Sequence, residues 1–410
     1  MFIQYYTNTV RAPMNKQSNK KRSLNVTALF AGVAGLELGL KKGGHVTSLF
    51  CEKDPEAISV LRSKFPEVGL VDDIKKRGEL AERIDRHSNL LTGGFPCTDI
   101  SQAGRTQGFS GSQSSLVRDA LALLKRRPFP HVLLENVPNW RFLHGGAYLE
   151  EVVSTFEKMG YRWAYRTIDA QAFGLPQRRL RLFLYATTEG DPRDVLFNGH
   201  VERPERKFEL SEAAHGFYWT EGTRGLGWGE NCVPTLKGGS GLGIPSSPAI
   251  LLTDGSVITP DIRDAERLQG FEANWTSGPR VNPRNGDGKF NARKRWMLVG
   301  NAINVRVAEW IGKQLAQPKP YQGPSGKPFG KGMRFPAAAH WDGKFRMAYP
   351  LESWPVSKET EDLEKFLRFD PKPLSYKATL GFYSRAKDSS LNFADGFLPA
   401  IERHLKRIKQ

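Results

Sequence analysis

The segment Gly94-Phe95-Pro96-Cys97 places a thiol where a short apolar run, Leu90 and Leu91, gives way to a long polar loop bearing Gly104, Gly108 and Gly111. Thiolate is the nucleophilic form of cysteine, and a loop at the edge of a sheet gives it access to a ligand. Glu135, in Glu135-Asn136-Val137, ends another apolar run, His131 to Leu134, and brings a carboxylate to the same edge of the sheet as Cys97. Gln177-Arg178-Arg179-Leu180-Arg181 opens a third strand-like run, and strand alternation puts Arg179 and Arg181 on one face. Taken singly, each has a plainer reading. A lone cysteine is more often a small buried hydrophobe, a strand-end glutamate is commonly solvated, and a basic strand start is usually an exposed edge. Their shared direction sets them apart, since nucleophile, carboxyl and guanidinium pair are expected to line one pocket above the sheet.

A second group of residues suits a ligand rather than a reaction. Phe30-Ala31-Gly32-Val33-Ala34-Gly35-Leu36 follows the first apolar run, and its glycines allow a tight turn and a close approach at a helix N-terminus. It is not the dinucleotide fingerprint G-x-G-x-x-G, because Ala34 breaks the spacing. The next run ends in Cys51-Glu52, twenty residues beyond Gly32, where doubly wound folds place an acid on ribose hydroxyls. Asp73 follows Gly69-Leu70-Val71 and is placed to accept a bond from an adenine amino group. A nucleoside-containing cofactor fits all three positions.

These residues must be held by a scaffold, and the pattern from Asn25 supplies one. Apolar runs at Val26 to Phe30, Val46 to Phe50, Leu90 to Leu91 and Val132 to Leu134 alternate with amphipathic segments at Leu36 to Lys42, Pro55 to Phe65, Leu116 to Lys125 and Tyr148 to Met159. Two more strands are expected at Trp163 to Ile168 and Leu180 to Ala186. The alternation predicts an α/β fold with a mostly parallel sheet covered by helices on both faces. From Glu189 to Val257 the chain is rich in glycine and weak in helical periodicity, as a separate loop-rich unit would be. Helices are expected again at Asp261 to Gln269 and Ile303 to Leu315, followed by a Pro- and Gly-rich connector after Pro318.

The chain has 410 residues with 60 Lys and Arg against 43 Asp and Glu, a formal charge of +17. That excess points to a polyanionic partner and away from acidic ligands. Arg11, Lys16, Lys20, Lys21 and Arg22 form a basic arm without acids, and Arg280, Arg284, Lys289, Arg293, Lys294 and Arg295 form a second basic stretch. Three cysteines, Cys51, Cys97 and Cys232, make neither a metal-type pair nor a disulfide framework, so no metal is expected. No apolar run reaches the roughly 18 to 20 residues of a spanning helix, which favours nucleic acid over lipid as the polyanion.

Together these segments resemble the DNA (cytosine-5)-methyltransferase family, in the family's order, from about Asn25 to Leu315. Phe30 to Gly35 is similar to its cofactor loop, Pro96-Cys97 to its Pro-Cys motif, and Glu135-Asn136-Val137 to its E-N-V motif. Gln177, Arg179 and Arg181 are similar to Q-x-R-x-R, Arg267-Leu268-Gln269-Gly270-Phe271 to the segment after the recognition domain, and Gly300-Asn301-Ala302 to the terminal G-N motif. The sequence departs from the family in three places. Ala28 stands where an Asp is frequent, Thr98 where many members have Gln, and Lys53 where an aromatic residue often stacks on adenine. The aliphatic stem of Lys53 is then expected to cover the ring.

The resemblance implies a Rossmann-like S-adenosylmethionine-dependent methyltransferase fold with a smaller loop-rich target-recognition domain. It divides the chain into an arm (1–22), a catalytic domain (23–188 and 296–317), a recognition domain (189–295) and an extension (318–410) expected to dock on the catalytic domain. It implies catalytic roles for Cys97 on cytosine C6, Glu135 on N3 and the amino group, Arg181 on O2, and Arg179 on the closed loop or a phosphate. Phe30, Gly32, Gly35, Glu52, Asp73, Pro96, Asn301 and Ala302 are the implied cofactor contacts. Glu135 must share or donate a proton, so its pKa is expected to be raised. The implied substrate is double-stranded DNA, with the Lys237 to Gly243 turn a candidate groove contact and Arg280 to Arg295 a source of phosphate contacts. The implied setting is a monomeric bacterial enzyme in the cytoplasm, on the nucleoid through DNA, with a cognate restriction endonuclease acting at the same site. A transfer-RNA cytosine-5 methyltransferase is the alternative, and the length of the 186–258 segment favours duplex DNA.

Overall fold

A computed structural model describes residues 21–95, 114–205, 207–239, 246–278, 292–330 and 332–409. Seven strands form the centre: β1 (Asn25–Leu29), β2 (Val46–Cys51), β3 (Gly69–Val71), β4 (Leu90–Gly94), β5 (His131–Asn136), β6 (Arg162–Asp169) and β7 (Leu180–Thr187). Their order is β6-β7-β5-β4-β1-β2-β3, with β1 to β5 parallel and β7 antiparallel between β5 and β6. Alternate residues feed two cores, as a sheet covered on both sides requires. Leu29, Leu91, Val132 and Leu134 face one side with Val117, Leu121, Leu149 and Val152, whereas Val26, Leu90 and Leu133 face the other with Leu36, Leu40, Val307 and Ile311.

The covering helices are α1 (Gly35–Lys42), α2 (Pro55–Lys64), α3 (Arg77–Arg83), α4 (Ser114–Arg126), α5 (Ala147–Lys158), the single turn α6 (Arg193–Leu196), α7 (Ile262–Leu268), α8 (Ala292–Asn301) and α9 (Val305–Ala316). Caps fix several starts. Asp54 accepts from the Glu56 and Ala57 amides, Asp261 from Arg263, and Asn304 from Arg306 and Val307. The contact between α1 and α9 needs small residues. A β-carbon on Gly39 would collide with that of Ala308, and one on Gly43 would stand 2.6 Å from the Gly312 carbonyl carbon. Gly35, Gly39 and Gly43, four apart, thus form a groove that seats α9 against the sheet.

A second, antiparallel sheet contains β8 (His215–Phe217), β9 (Trp228–Glu230), β10 (Ala249–Leu251) and β11 (Val257–Thr259). The segment from 318 onward, expected as one extension, divides between the two sheets. Its β12 (Lys327–Pro328), β13 (Ala338–Trp341) and β14 (Arg346–Ala348) continue the large sheet, with β13 antiparallel to β6. After the single turn α10 (Leu363–Phe366), β15 (Lys372–Pro373) pairs with β11. Helices α11 (Tyr376–Lys387) and α12 (Phe397–Ile408) then bury Phe382, Phe397 and Ile401 against Phe217, Leu251 and Val257 of the small sheet. The segment from 318 onward therefore adds strands to both sheets and packs its last two helices on the small one. Val195, Leu196 and Phe197, which follow the expected boundary at 189, are buried in the core of the large sheet.

Candidate active site

The parallel strands end along one edge, and the residues expected to do chemistry follow them. Leaving β1, the chain passes through left-handed conformations at Phe30 (φ 54°), Gly32 (φ 54°) and Ala34 (φ 61°). Two of these are not glycine, each costing roughly 1–3 kcal/mol, a strain that concentrates at ligand clamps. Four bonds hold the turn. Ala31 donates to the Cys51 carbonyl (3.3 Å), Ala34 to that of Ala31 (2.8 Å), Gly32 to Glu52 Oε2 (2.7 Å), and Trp275 Nε1 to the Val33 carbonyl (2.9 Å). A β-carbon on Gly35 would collide with the Ile303 carbonyl oxygen, so this glycine lets the chain after α8 lie against the turn. Asn301 and Ala302 are thereby brought beside Phe30 and Gly32, as expected.

A cavity of about 560 Å³ opens here, in the range of small-ligand sites. Phe30, Gly32, Glu52, Asp73, Glu135, Arg181, Asn301 and Ala302 all line it. Gly35 lines a smaller chamber alongside. Pro96 and Cys97 lie outside the described residues. At one end, Glu52 Oε1 accepts the Lys53 and Asp54 amides, both at 2.8 Å, and Oε2 accepts only Gly32. A carboxylate oxygen takes two donors, so Oε2 keeps one lone pair for a ligand hydroxyl. Asp73 accepts the Lys75 amide (2.9 Å) and pairs with Lys53 Nζ at 3.0 Å, drawing the Lys53 stem along the wall. Ile74, Phe95 and Leu298 give that wall an apolar surface.

At the other end Glu135 is buried and pairs with Arg181, Nε to Oε1 3.0 Å. Burial pushes its carboxyl up, and the Arg181 and Arg179 charges, which pull it down, do not cancel the effect. Glu135 is register partner to Gly94, the last residue of β4. A β-carbon on Gly94 would stand 3.3 Å from Glu135 Oε2, so that position must stay small.

Arg179 does not face the cavity. Its guanidinium is buried and donates to the carbonyls of Leu236 (2.9 Å), Gly300 (3.1 Å) and Ala302 (2.7 Å). Gln177 lies beside it, donating to the Leu268 carbonyl (2.8 Å) and accepting the Leu236 amide (3.2 Å). Gln269 in turn donates to the Val299 carbonyl at 2.8 Å. The Q-x-R-x-R segment is thus split, with Arg181 on the cavity and Gln177 and Arg179 fastening the large sheet, the second domain and α8 together. This clamp of three carbonyl contacts is what the described residues give Arg179, and the 96–113 loop expected to meet it lies outside them.

The chain matches the C-5 cytosine-specific DNA methylase family over residues 24–220. Type II methyltransferase M2.BsuMI of Bacillus subtilis (strain 168) is 41% identical over 392 residues, covering 93% of this chain and 98% of that protein. The chain belongs to the C-5 cytosine-specific DNA methylases. Type II methyltransferase M.PspPI of Psychrobacter sp. (strain TA137) is 32% identical, over 72% of this chain and 79% of its own length. Among solved structures, the S. pombe Dnmt2 methyltransferase matches with a TM-score of 0.53 at 16% identity, covering 73% of this chain and all of that one, a likeness of fold. The methylase therefore has the S-adenosylmethionine-dependent methyltransferase fold and is a DNA (cytosine-5)-methyltransferase.

Two of its three thiols are chemically quiet. Burial pushes Cys51 up to about 12 and Cys232 up to about 11, so neither is a thiolate near neutrality. The second basic stretch is less free than its charge suggests. Lys294 is ion-paired with Glu56, and Arg295 with buried Glu266 at 2.7 Å, while Arg293 is exposed. Arg280, Arg284 and Lys289 lie outside the described residues, as do 1–20 of the basic arm. Lys237 is tied to Glu221 (3.2 Å) and lies over the Tyr218 ring, and 240–243 of its turn lie outside the described residues. Sequence reading missed Trp275 and Glu37. Trp275 stacks on Phe271 of the recognized R-L-Q-G-F segment, and an aromatic four residues past that phenylalanine was the available signal. Among the described residues no helix is long and apolar enough to cross a membrane.

Proposed function

We propose that the methylase modifies C5 of a cytosine turned out of duplex DNA, through a covalent bond between Cys97 and C6, with S-adenosylmethionine in the 560 Å³ cavity. The observation that carries this reading is the buried Glu135–Arg181 pair beside Gly94, on the same cavity as Glu52 and Asp73. Gly94 precedes Cys97 by three residues, a length of chain that reaches about 10 Å at most. The cavity fits the cofactor in kind. Glu52 has an acceptor left for a ribose hydroxyl, Lys53 and Ile74 offer cover for the adenine, and Asn301 and Ala302 close the far side. When bound, S-adenosylmethionine supplies an electrophilic methyl on a sulfonium.

The protein groups supply the nucleophilic carbon. Cytosine C5 is unreactive until the ring loses aromaticity, and attack of the Cys97 sulfur on C6 achieves this. As the C–S bond forms, Glu135 gives its proton to N3, so that electron density collects at C5 instead of as a bare anion on the ring. Arg181 holds Glu135 and donates to the base O2. After C5 is methylated a base or an ordered water takes its hydrogen as a proton, the C–S bond breaks to return the Cys97 thiolate, and N3 returns its proton to Glu135. The base must leave the duplex to reach these groups, at a cost of about a few kcal/mol. The polypeptide is expected to act as a monomer, at a site shared with a cognate restriction endonuclease. Its cytoplasmic setting follows from the same reading.

Bisulfite sequencing of genomic DNA from cells expressing the methylase is expected to reveal cytosines protected in one short sequence context. Protection confined to transfer RNA, with the DNA unmodified, would overturn the DNA reading.

A further inference from the structure

Glu37 is a buried acid that the proposed chemistry does not use. It sits in the first turn of α1 and is 3% exposed. Its Oε1 accepts the Thr92 hydroxyl at 2.9 Å, while Oε2 is buried without a partner. Thr92 is the register partner of Ala28, so the Glu37 carboxyl lies over β1 and β4. It borders a chamber of about 30 Å³, enough for one small polar group. Phe30, Gly32, Gly94, Asn301 and Ala302 line both this chamber and the large cavity.

We infer that Glu37 receives the ammonium group at the amino-acid end of S-adenosylmethionine. The inference rests on the large cavity being the cofactor site, and the strand order fixes the direction. Asp73 and Glu52 follow β3 and β2, Glu37 overlies β1 and β4, and Glu135 ends β5. A ligand with its nucleoside at Glu52 and Asp73 therefore has its amino-acid end toward Glu37, with the sulfur between the two. That end carries one cation and one anion. A buried carboxyl with a vacant acceptor attracts the first and repels the second. Burial is the main cause that pushes Glu37 up to about 7; its own backbone amide and the Thr92 hydroxyl pull it down, and the Glu52 carboxylate adds a smaller upward push. An arriving ammonium reverses that balance and holds Glu37 as the carboxylate, satisfying the orphan oxygen.

Calorimetric titration of the full chain with two ligands separates this role from a structural one. S-adenosylhomocysteine keeps the amino acid, and 5′-methylthioadenosine keeps only the nucleoside and thioether. Glu37→Gln is expected to weaken the first about tenfold or more, as loss of a charged hydrogen bond does, and to leave the second within about twofold. In the wild type, affinity for the first relative to the second should fall as the pH drops through about 7, because the protonated acid no longer attracts the cation. Glu52 meets the nucleoside of both ligands, so its titration cancels in that ratio. Equal losses for both ligands, or no loss for the first, overturn the inference. Failure of either ligand to bind the wild type would instead remove the cofactor reading, and this inference with it. Should Glu37→Gln not fold, the wild-type ratio decides alone, and a ratio flat with pH overturns the proposal.

Discussion

Glu135→Gln is expected to lower methyl transfer by about 10²–10⁴-fold, the range associated with loss of a positioned general acid, while S-adenosylhomocysteine binds as before. The amide keeps the size of the side chain and can still accept from Arg181, so the pair at 3.0 Å has a neutral counterpart. What it cannot do is give N3 a proton. The pH dependence supplies a second signature. Burial raises the Glu135 pKa, so the reactive acid form persists to higher pH than an ordinary glutamic acid would allow, and is lost as pH rises through that value. Initial rates of methyl incorporation should show this descending limb for the wild type. The Gln variant should lack it. A variant within tenfold of wild-type rate, or one that retains the limb, would assign the proton to another group.

Arg179→Met should produce the largest loss of stability, about 3 kcal/mol or more. Three carbonyls, those of Leu236, Gly300 and Ala302, would lose a donor together in a buried site, and each costs roughly 1–3 kcal/mol when left unsatisfied. Burial also holds the Arg179 guanidinium well below its usual pKa, with the Arg181 charge adding to the effect and Glu135 opposing it. Lysine is not an adequate replacement, because one ammonium lacks the planar fork that reaches both the second domain and the end of α8. Urea denaturation of wild type, Arg179→Met and Arg179→Lys should give midpoints in descending order wild type, Lys, Met. A Met variant as stable as wild type would contradict the clamp.

Arg179 also shows where sequence reasoning reached its limit. Alternation places Arg179 and Arg181 on one face only if both belong to the strand, but β7 begins at Leu180. Arg179 precedes it, with its amide bonded to Asp169 and its carbonyl to Ala170, so its side chain follows the turn and not the strand period. Elsewhere the period was sufficient. The apolar runs at β1, β2, β4 and β5 and the helices α1, α2, α4 and α5 stand within a few residues of their expected positions, because long regular patterns of burial are written directly in residue order. Strand ends then place Glu52, Asp73 and Glu135 on one cavity.

Long-range pairing is what the order of residues hides. The positive charge at Lys294 and Arg295 reads as a surface until Glu56 and Glu266, distant in sequence, are found against it. Likewise β12 and β15 are two residues long, too short to show any period, and exist because β14 and β11 offer them an edge. The extension could therefore be recognised as a segment but not divided between two sheets. Glu37 was overlooked for a related reason. An acid in the first turn of a helix suits the helix dipole, and only its orphan oxygen marks it as more.

The covalent step at Cys97 is the one on which the roles of Glu135 and Arg181 depend. It is tested most directly by incubating the methylase and S-adenosylmethionine with a duplex carrying 5-fluorocytosine at the position mapped by bisulfite sequencing. Fluorine at C5 cannot leave as a proton does, so elimination stops and the C–S bond persists. A denaturation-resistant protein–DNA adduct whose modified peptide contains Cys97 is expected, and no adduct with Cys97→Ser. A preparation that methylates the ordinary duplex yet forms no adduct with the fluorinated one, or an adduct at Cys51 or Cys232, would contradict it.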